Sequence, residues 1–99
     1  MTEHDTILII DDEIQIRRLL EITLTAHNFN TCFAANGKEG LISAATHNPS
    51  LILLDLGLPD IDGHVLLVKL REWFTKSIIV LSVRNSEEDI IKALDNGAN

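Results

Sequence analysis

The sequence predicts an α/β domain, a doubly wound parallel sheet with strand order 2-1-3-4, and three observations carry that expectation. Short apolar runs alternate with amphipathic helical patterns four times along the 99 residues, an order that implies parallel strands, helices on both faces and right-handed crossovers. The runs lack polar alternation, as strands covered on both faces do. Three of them stop on side chains with chemistry available: Asp11 and Asp12 after the first, Asp55 after the third and Ser82 after the fourth. In open α/β sheets, ligands bind beyond the carboxyl ends of the strands, at the point where the strand order reverses.

Each element has its own signature. Thr6-Ile7-Leu8-Ile9-Ile10 is a β-branched run without polar interruption, hence a strand. After Asp11-Asp12-Glu13 the positions Ile16, Leu19, Leu20, Thr23 and Leu24 keep helical spacing, while Gln15, Arg17, Arg18 and Glu21 take the opposite side. The preceding acids suit the positive end of the helix dipole. His27-Asn28 closes that helix, Phe29 to Ala35 reads as a weaker strand, and Asn36-Gly37 breaks it. Lys38 to Thr46 is a second helix with Leu41, Ala44 and Ala45 on one face, although Gly40 lowers its propensity. Leu51 to Leu54 is a strand that ends on Asp55, and Gly57, Pro59 and Gly63 then make an irregular loop. Leu66, Leu67, Leu70 and Phe74 mark a third helix with Trp73 off the stripe, and Ser77 to Ser82 is a further strand of the buried type. Ser86 and Asp89 resemble a capping box, and Ile90, Ile91 and Leu94 give a fourth helix its apolar face before Gly97.

Composition excludes several classes of function. With 45% apolar residues the chain has material for one small core, and a second domain does not fit. A net charge of −7, from 15 acidic and 8 basic residues, opposes non-specific attraction to nucleic acid or to an anionic membrane, so DNA contact would require another domain. The amino terminus is polar and acidic, and no apolar run approaches membrane-spanning length. The single cysteine, Cys32, cannot form an internal disulfide, which fits a reducing, cytoplasmic setting and a packing role. His4, His27, His47 and His64 have no ligand spacing, Ser82 has no histidine at a comparable strand end, and neither phosphate-binding glycine motif of nucleotide-binding domains occurs.

The chemistry therefore concentrates at the sheet rim. Asp55 alone is readable equally as a turn cap or as a reactive carboxylate, and Asp11 and Asp12 alone as helix-start acids or as cation ligands. With the first and third strands adjacent, the three converge, and several carboxylates in one crevice call for a hard cation. Oxygen-only ligands select Mg²⁺ or a similar ion that leaves room for a phosphoryl oxygen.

Ile9-Ile10-Asp11-Asp12-Glu13, Leu53-Leu54-Asp55-Leu56-Gly57-Leu58-Pro59-Asp60-Ile61-Asp62-Gly63, Val80-Leu81-Ser82 and Ala93-Leu94-Asp95-Asn96-Gly97-Ala98 together resemble the receiver domain of bacterial response regulators, over the full length of the chain. The resemblance is strongest to the class that carries a winged-helix DNA-binding domain. It implies a flavodoxin-like (CheY-like) sheet and a two-component signalling role. Asp55 would accept a phosphoryl group from the phosphohistidine of a sensor histidine kinase or from a small acyl phosphate. It also implies Mg²⁺ held by Asp11, directly or through water, by Asp12, by the second oxygen of Asp55 and by the backbone carbonyl of Gly57. Ser82 would donate a hydrogen bond to a phosphoryl oxygen and report the phosphorylated state. The activity so implied is self-phosphotransfer and autodephosphorylation rather than turnover of a separate substrate.

Two departures from the family pattern bear on these expectations. The chain stops at Asn99, before the fifth strand, with its aromatic switch residue and its lysine, and before the fifth helix, so residues 1–99 read as a receiver incomplete at its carboxyl end. An uncovered strand edge predicts self-association, as a homodimer or by strand exchange. Val83 stands where the family usually has a smaller residue, which narrows access to the site. Both departures keep a rival open, a receiver-like dimerisation or docking module that is not phosphorylated. A phosphatase of the haloacid-dehalogenase type is more remote, because its second acid, two residues past the nucleophile, falls on Gly57.

Overall fold

Residues 5–81 are described by the structure, a computed structural model. The apolar runs form β1 (Thr6–Ile10), β2 (Asn30–Ala34), β3 (Leu51–Leu54) and β4 (Ser77–Val80), separated by helices α1 (Ile14–Ala26), α2 (Gly37–His47) and α3 (Gly63–Arg71). The strands make one parallel sheet in the order β2-β1-β3-β4, as the alternation predicts. The helix expected after Ser86 and the residues Ser82 and Val83 lie outside the described residues.

Side chains along each strand alternate between the two faces, and the core divides accordingly. Leu8, Ile10, Ala34, Ile52, Leu54 and Ile78 point toward α2 and α3, where Ala44, Leu66, Leu67, Leu70 and Phe74 close over them. Ile7, Ile9 and Leu53 point the other way, toward Leu20 and Leu24 of α1, with Phe29, Phe33, Leu51 and Leu81 at the margins.

The α1 face is thinner than its pattern predicts. The helix has no buried residue; Leu20 and Leu24 pack on the sheet, but Leu19 is 61% exposed and Thr23 is exposed as well. Burial of β4 on both faces was expected from Ile78-Ile79-Val80, and the structure corrects this. Ile78 is buried toward α2 and α3, whereas Ile79 is 40% exposed on the opposite face; among the described residues the main contact of α1 with the sheet is with β2, at the far edge from β4. Trp73 is 46% exposed, as its position off the stripe predicts, and packs edge-on against Phe74 with ring centroids 6.1 Å apart. Cys32 is half-buried against the core, and burial raises its thiol pKa.

Gly40, which weakens the helical pattern of α2, has a packing reason. A Cβ there would stand 2.7 Å from Ile10 Cδ1, so the glycine lets α2 lie close on β1. Of the three residues predicted to share the face of α2, Ala44 is buried and Leu41 partly buried, while Ala45 is exposed.

Candidate functional site

The strand register brings the acids together. Ile10 is paired with Leu54 across the β1–β3 ladder, so the residues that follow, Asp11 and Asp55, leave the sheet side by side. Backbone hydrogen bonds extend this alignment past the strand ends: the Asp55 amide donates to Ile10 O at 2.9 Å, and the Asp11 amide donates to Ala34 O of β2 at 3.0 Å. On the other side of β3 the Leu81 amide donates to Leu54 O at 2.7 Å, which carries β4 to the same rim.

Asp11, Asp12 and Asp55 each present a carboxylate oxygen within 4.8 Å of the other two. Asp11 is buried, with 6% exposure, Asp55 half-buried and Asp12 exposed, so the cluster opens toward solvent through Asp12. Each inner carboxylate is oriented by a backbone amide two residues on. Asp11 Oδ1 accepts from Glu13 N at 2.8 Å, and Asp55 Oδ1 accepts from Gly57 N at 3.1 Å. These bonds leave the second oxygen of each group available.

Negative charge dominates the rim among the described residues. Burial, above all, pushes the Asp11 carboxyl above its ordinary 3.8; the hydrogen bond from Glu13 N opposes the shift, and the neighbouring charges of Asp55, Asp12 and Glu13 add to it. A divalent cation would remove the repulsion among these groups, and a set of carboxylate and carbonyl oxygens fits Mg²⁺. The residues fit that ion by donor chemistry and by spacing.

The sequence-predicted residues Asp11, Asp12, Asp55 and Gly57 thus meet at one rim, whereas Ser82 lies outside the described residues. Sequence reasoning missed Asp60, which it quoted within the loop motif and gave no role of its own. Its exposed carboxylate accepts from the Gly37 amide at 2.8 Å and from the Lys38 amide at 3.0 Å, tying the loop after β3 to the start of α2. Those two bonds, the Gly37 one first, hold its carboxyl below the ordinary range. No local motif announces a bond across 23 residues of sequence. The helix caps were missed as well, although Asn36 accepts from Glu39 N in the Asn-x-x-Glu spacing common at helix starts, and Asp62 accepts from His64 N at the start of α3.

Comparison with known proteins agrees with this geometry. The profile of the response regulator receiver domain matches residues 7–99. The chain is 46% identical over 93 residues to the transcriptional regulatory protein KdpE of Mycobacterium tuberculosis, covering 94% of this chain and 41% of that protein. The KdpE proteins of Escherichia coli and Staphylococcus aureus are 46% and 45% identical over the same length, so the chain spans about two fifths of these curated relatives. Among solved structures, a two-component response regulator from Clostridium difficile superposes with a TM-score of 0.93 at 28% identity, over 97% of this chain and 79% of that one. The BeF3-activated receiver domain of Klebsiella pneumoniae RstA gives 0.91 at 28% identity, over 95% and 80%. A rim of three convergent aspartates on a 2-1-3-4 parallel sheet, matched by profile, by relatives and by superposition, places this chain in the response regulator receiver domain family.

Proposed function

We propose that Asp55 is the phosphoacceptor of this receiver domain and that the transfer depends on Mg²⁺ held by Asp11, Asp12, the second oxygen of Asp55 and the carbonyl of Gly57. The observation that carries the reading is the convergence of the three carboxylates within 4.8 Å. A carboxylate oxygen of Asp55 attacks the donor phosphorus as the bond from phosphorus to the leaving group breaks. The leaving group departs as the kinase imidazole or, from acetyl phosphate, as acetate. A bound Mg²⁺ supplies charge neutralisation to the approaching phosphoryl oxygens, without which two anions repel. The Gly57 amide fixes the orientation of the Asp55 carboxylate, and the Ile10 and Ala34 carbonyls hold the backbone of Asp55 and Asp11, so the nucleophile is positioned before the donor arrives.

On the family resemblance, Ser82 donates its hydroxyl to a phosphoryl oxygen and so couples the site to the end of β4. The similarity to KdpE regulators, which are transcriptional regulatory proteins, supports a sensor histidine kinase as donor, a cytoplasmic setting and a DNA-binding output carried outside these 99 residues. Among the described residues β4 is an edge strand, which supports self-association along it; light scattering that finds only monomer at high concentration contradicts that part of the proposal.

The test is incubation with acetyl phosphate and Mg²⁺ followed by intact mass. One added phosphoryl group on the wild-type chain, absent from Asp55→Asn, is the expected result. A phosphoryl group that survives Asp55→Asn overturns the assignment, and a wild-type chain that takes none favours the unphosphorylated docking module.

A further inference from the structure

We infer that Asp60 is a positioning residue for Asp55, acting by clamping the loop between β3 and α3 onto the amino end of α2. The inference rests on the proposed reading of the acidic rim and goes beyond it, because Asp60 belongs to neither the cation set nor the nucleophile.

The first turn of a helix leaves its leading amides without partners inside the helix. In α2 the later ones are satisfied locally: Glu39 N donates to Asn36 Oδ1 at 2.8 Å, and Gly40 N donates to Asn36 O at 2.9 Å. The two that remain, Gly37 N and Lys38 N, are the two that Asp60 takes, one on each carboxylate oxygen. The contact is also fitted by shape, since a Cβ on Gly37 would run into Ile61 Cγ2. An exposed aspartate in a polar turn would ordinarily be free in water. Here two charge-assisted bonds to another element hold it.

The clamp closes a ring around the site. From Asp55 the ring runs through the Gly57 amide bound to Asp55 Oδ1, along the loop to Asp60, across to Gly37, and back through β2. At the end of β2 Ala34 O receives the Asp11 amide, and at the end of β1 Ile10 O receives that of Asp55. The near end of the loop orients the Asp55 carboxylate, its far end closes on Leu56 O through the Gly63 amide at 3.1 Å, and the stretch between is fixed by Asp60. Releasing Asp60 frees that stretch, and with it Gly57 and the carboxylate that Gly57 holds. Groups that orient a ligand residue typically change metal affinity about 10–100-fold when removed.

Mg²⁺ affinity, measured by calorimetric titration of the chain, is the readout, with thermal melting as the measure of fold. Asp60→Ala is expected to weaken Mg²⁺ binding about tenfold, at the low end of that range because it acts through Gly57. Asp60→Asn keeps one acceptor oxygen and falls between Asp60→Ala and wild type. Gly37→Ala, which wedges the contact open with no change of charge, is expected to match Asp60→Ala. Asn36→Ala separates positioning from stability: it removes a cap of the same helix and lowers the melting temperature, but leaves Mg²⁺ affinity at the wild-type value. Asp60→Ala binding Mg²⁺ as tightly as wild type overturns the inference, as does an equal loss of affinity in Asn36→Ala. Should Gly37→Ala fail to fold, Asp60→Ala and Asn36→Ala decide the question alone. A wild-type chain that binds no Mg²⁺ overturns the reading of the rim and this inference with it, whereas wild-type binding abolished by Asp55→Asn leaves that reading standing whatever Asp60→Ala does.

Discussion

The two faces of the sheet are built from the same strands yet differ in how they are closed. Toward α2 and α3, each strand contributes fully buried side chains, and Leu66, Leu67 and Leu70 seal them. Toward α1, burial is complete only above β1 and β3, at Ile7, Ile9 and Leu53, while Ile22 of the helix is 69% exposed. Alternation along β1 and β3 serves both faces at once, so the closed face fixes the register that the open face inherits. The acids at the ends of β1 and β3 are therefore held by packing on the α2 and α3 side. Among the described residues the α1 side buries fewer apolar side chains.

The largest effect that would sharpen this contrast is loss of volume on the closed face. Leu54→Ala, at a fully buried position beside Asp55, is expected to destabilise by about 2–5 kcal/mol in urea or thermal unfolding, a large part of the stability of a small domain. An effect of opposite sign is expected of Asp11→Asn without divalent cations. Burial and the neighbouring acids raise the folded-state pKa of Asp11 above its unfolded 3.8, so the folded chain binds the proton more tightly than the unfolded chain does. Stability from this group is then highest below pH 3.8 and declines as pH rises through the raised folded value. At neutral pH Asp11→Asn melts higher than wild type in chelator, the gain disappears in acid, and saturating Mg²⁺ reverses it. Wild type melting at or above Asp11→Asn in chelator at neutral pH would break the electrostatic account. The smallest effect belongs to the outer side of α1, opposite Leu20 and Leu24: Ile22→Ser is expected to shift stability by about 0.5 kcal/mol or less. A loss comparable to that of Leu54→Ala would mean that the α1 face is closed in solution and would end the contrast.

Much of this arrangement was legible in the residues. Unbroken apolar runs ending on Asp11 and Asp55 specified central parallel strands, and adjacency of those strands followed from the alternating pattern, which is why the carboxylate cluster could be expected before any geometry. The burial of Ile79 was misjudged because a strand's composition records its propensity, whereas burial depends on what the fold lays over each face. Leu19 was misplaced for a related reason: helical spacing defines a stripe, and tertiary packing decides which edge of the stripe meets the sheet. Asp60 escaped because its partners are the backbone amides of Gly37 and Lys38, and a backbone amide carries no sequence identity. Gly37 and Gly40 held part of that information, since both permit a close approach that only the fold reveals.

The most direct test of the central claim is to locate the phosphoryl group after reaction with acetyl phosphate, by peptide mapping in Mg²⁺ and in excess chelator. One modified carboxylate is expected, Asp55, labelled in Mg²⁺ and unlabelled in chelator. Labelling of Asp11 or Asp12, or labelling of Asp55 undiminished by chelator, would contradict it.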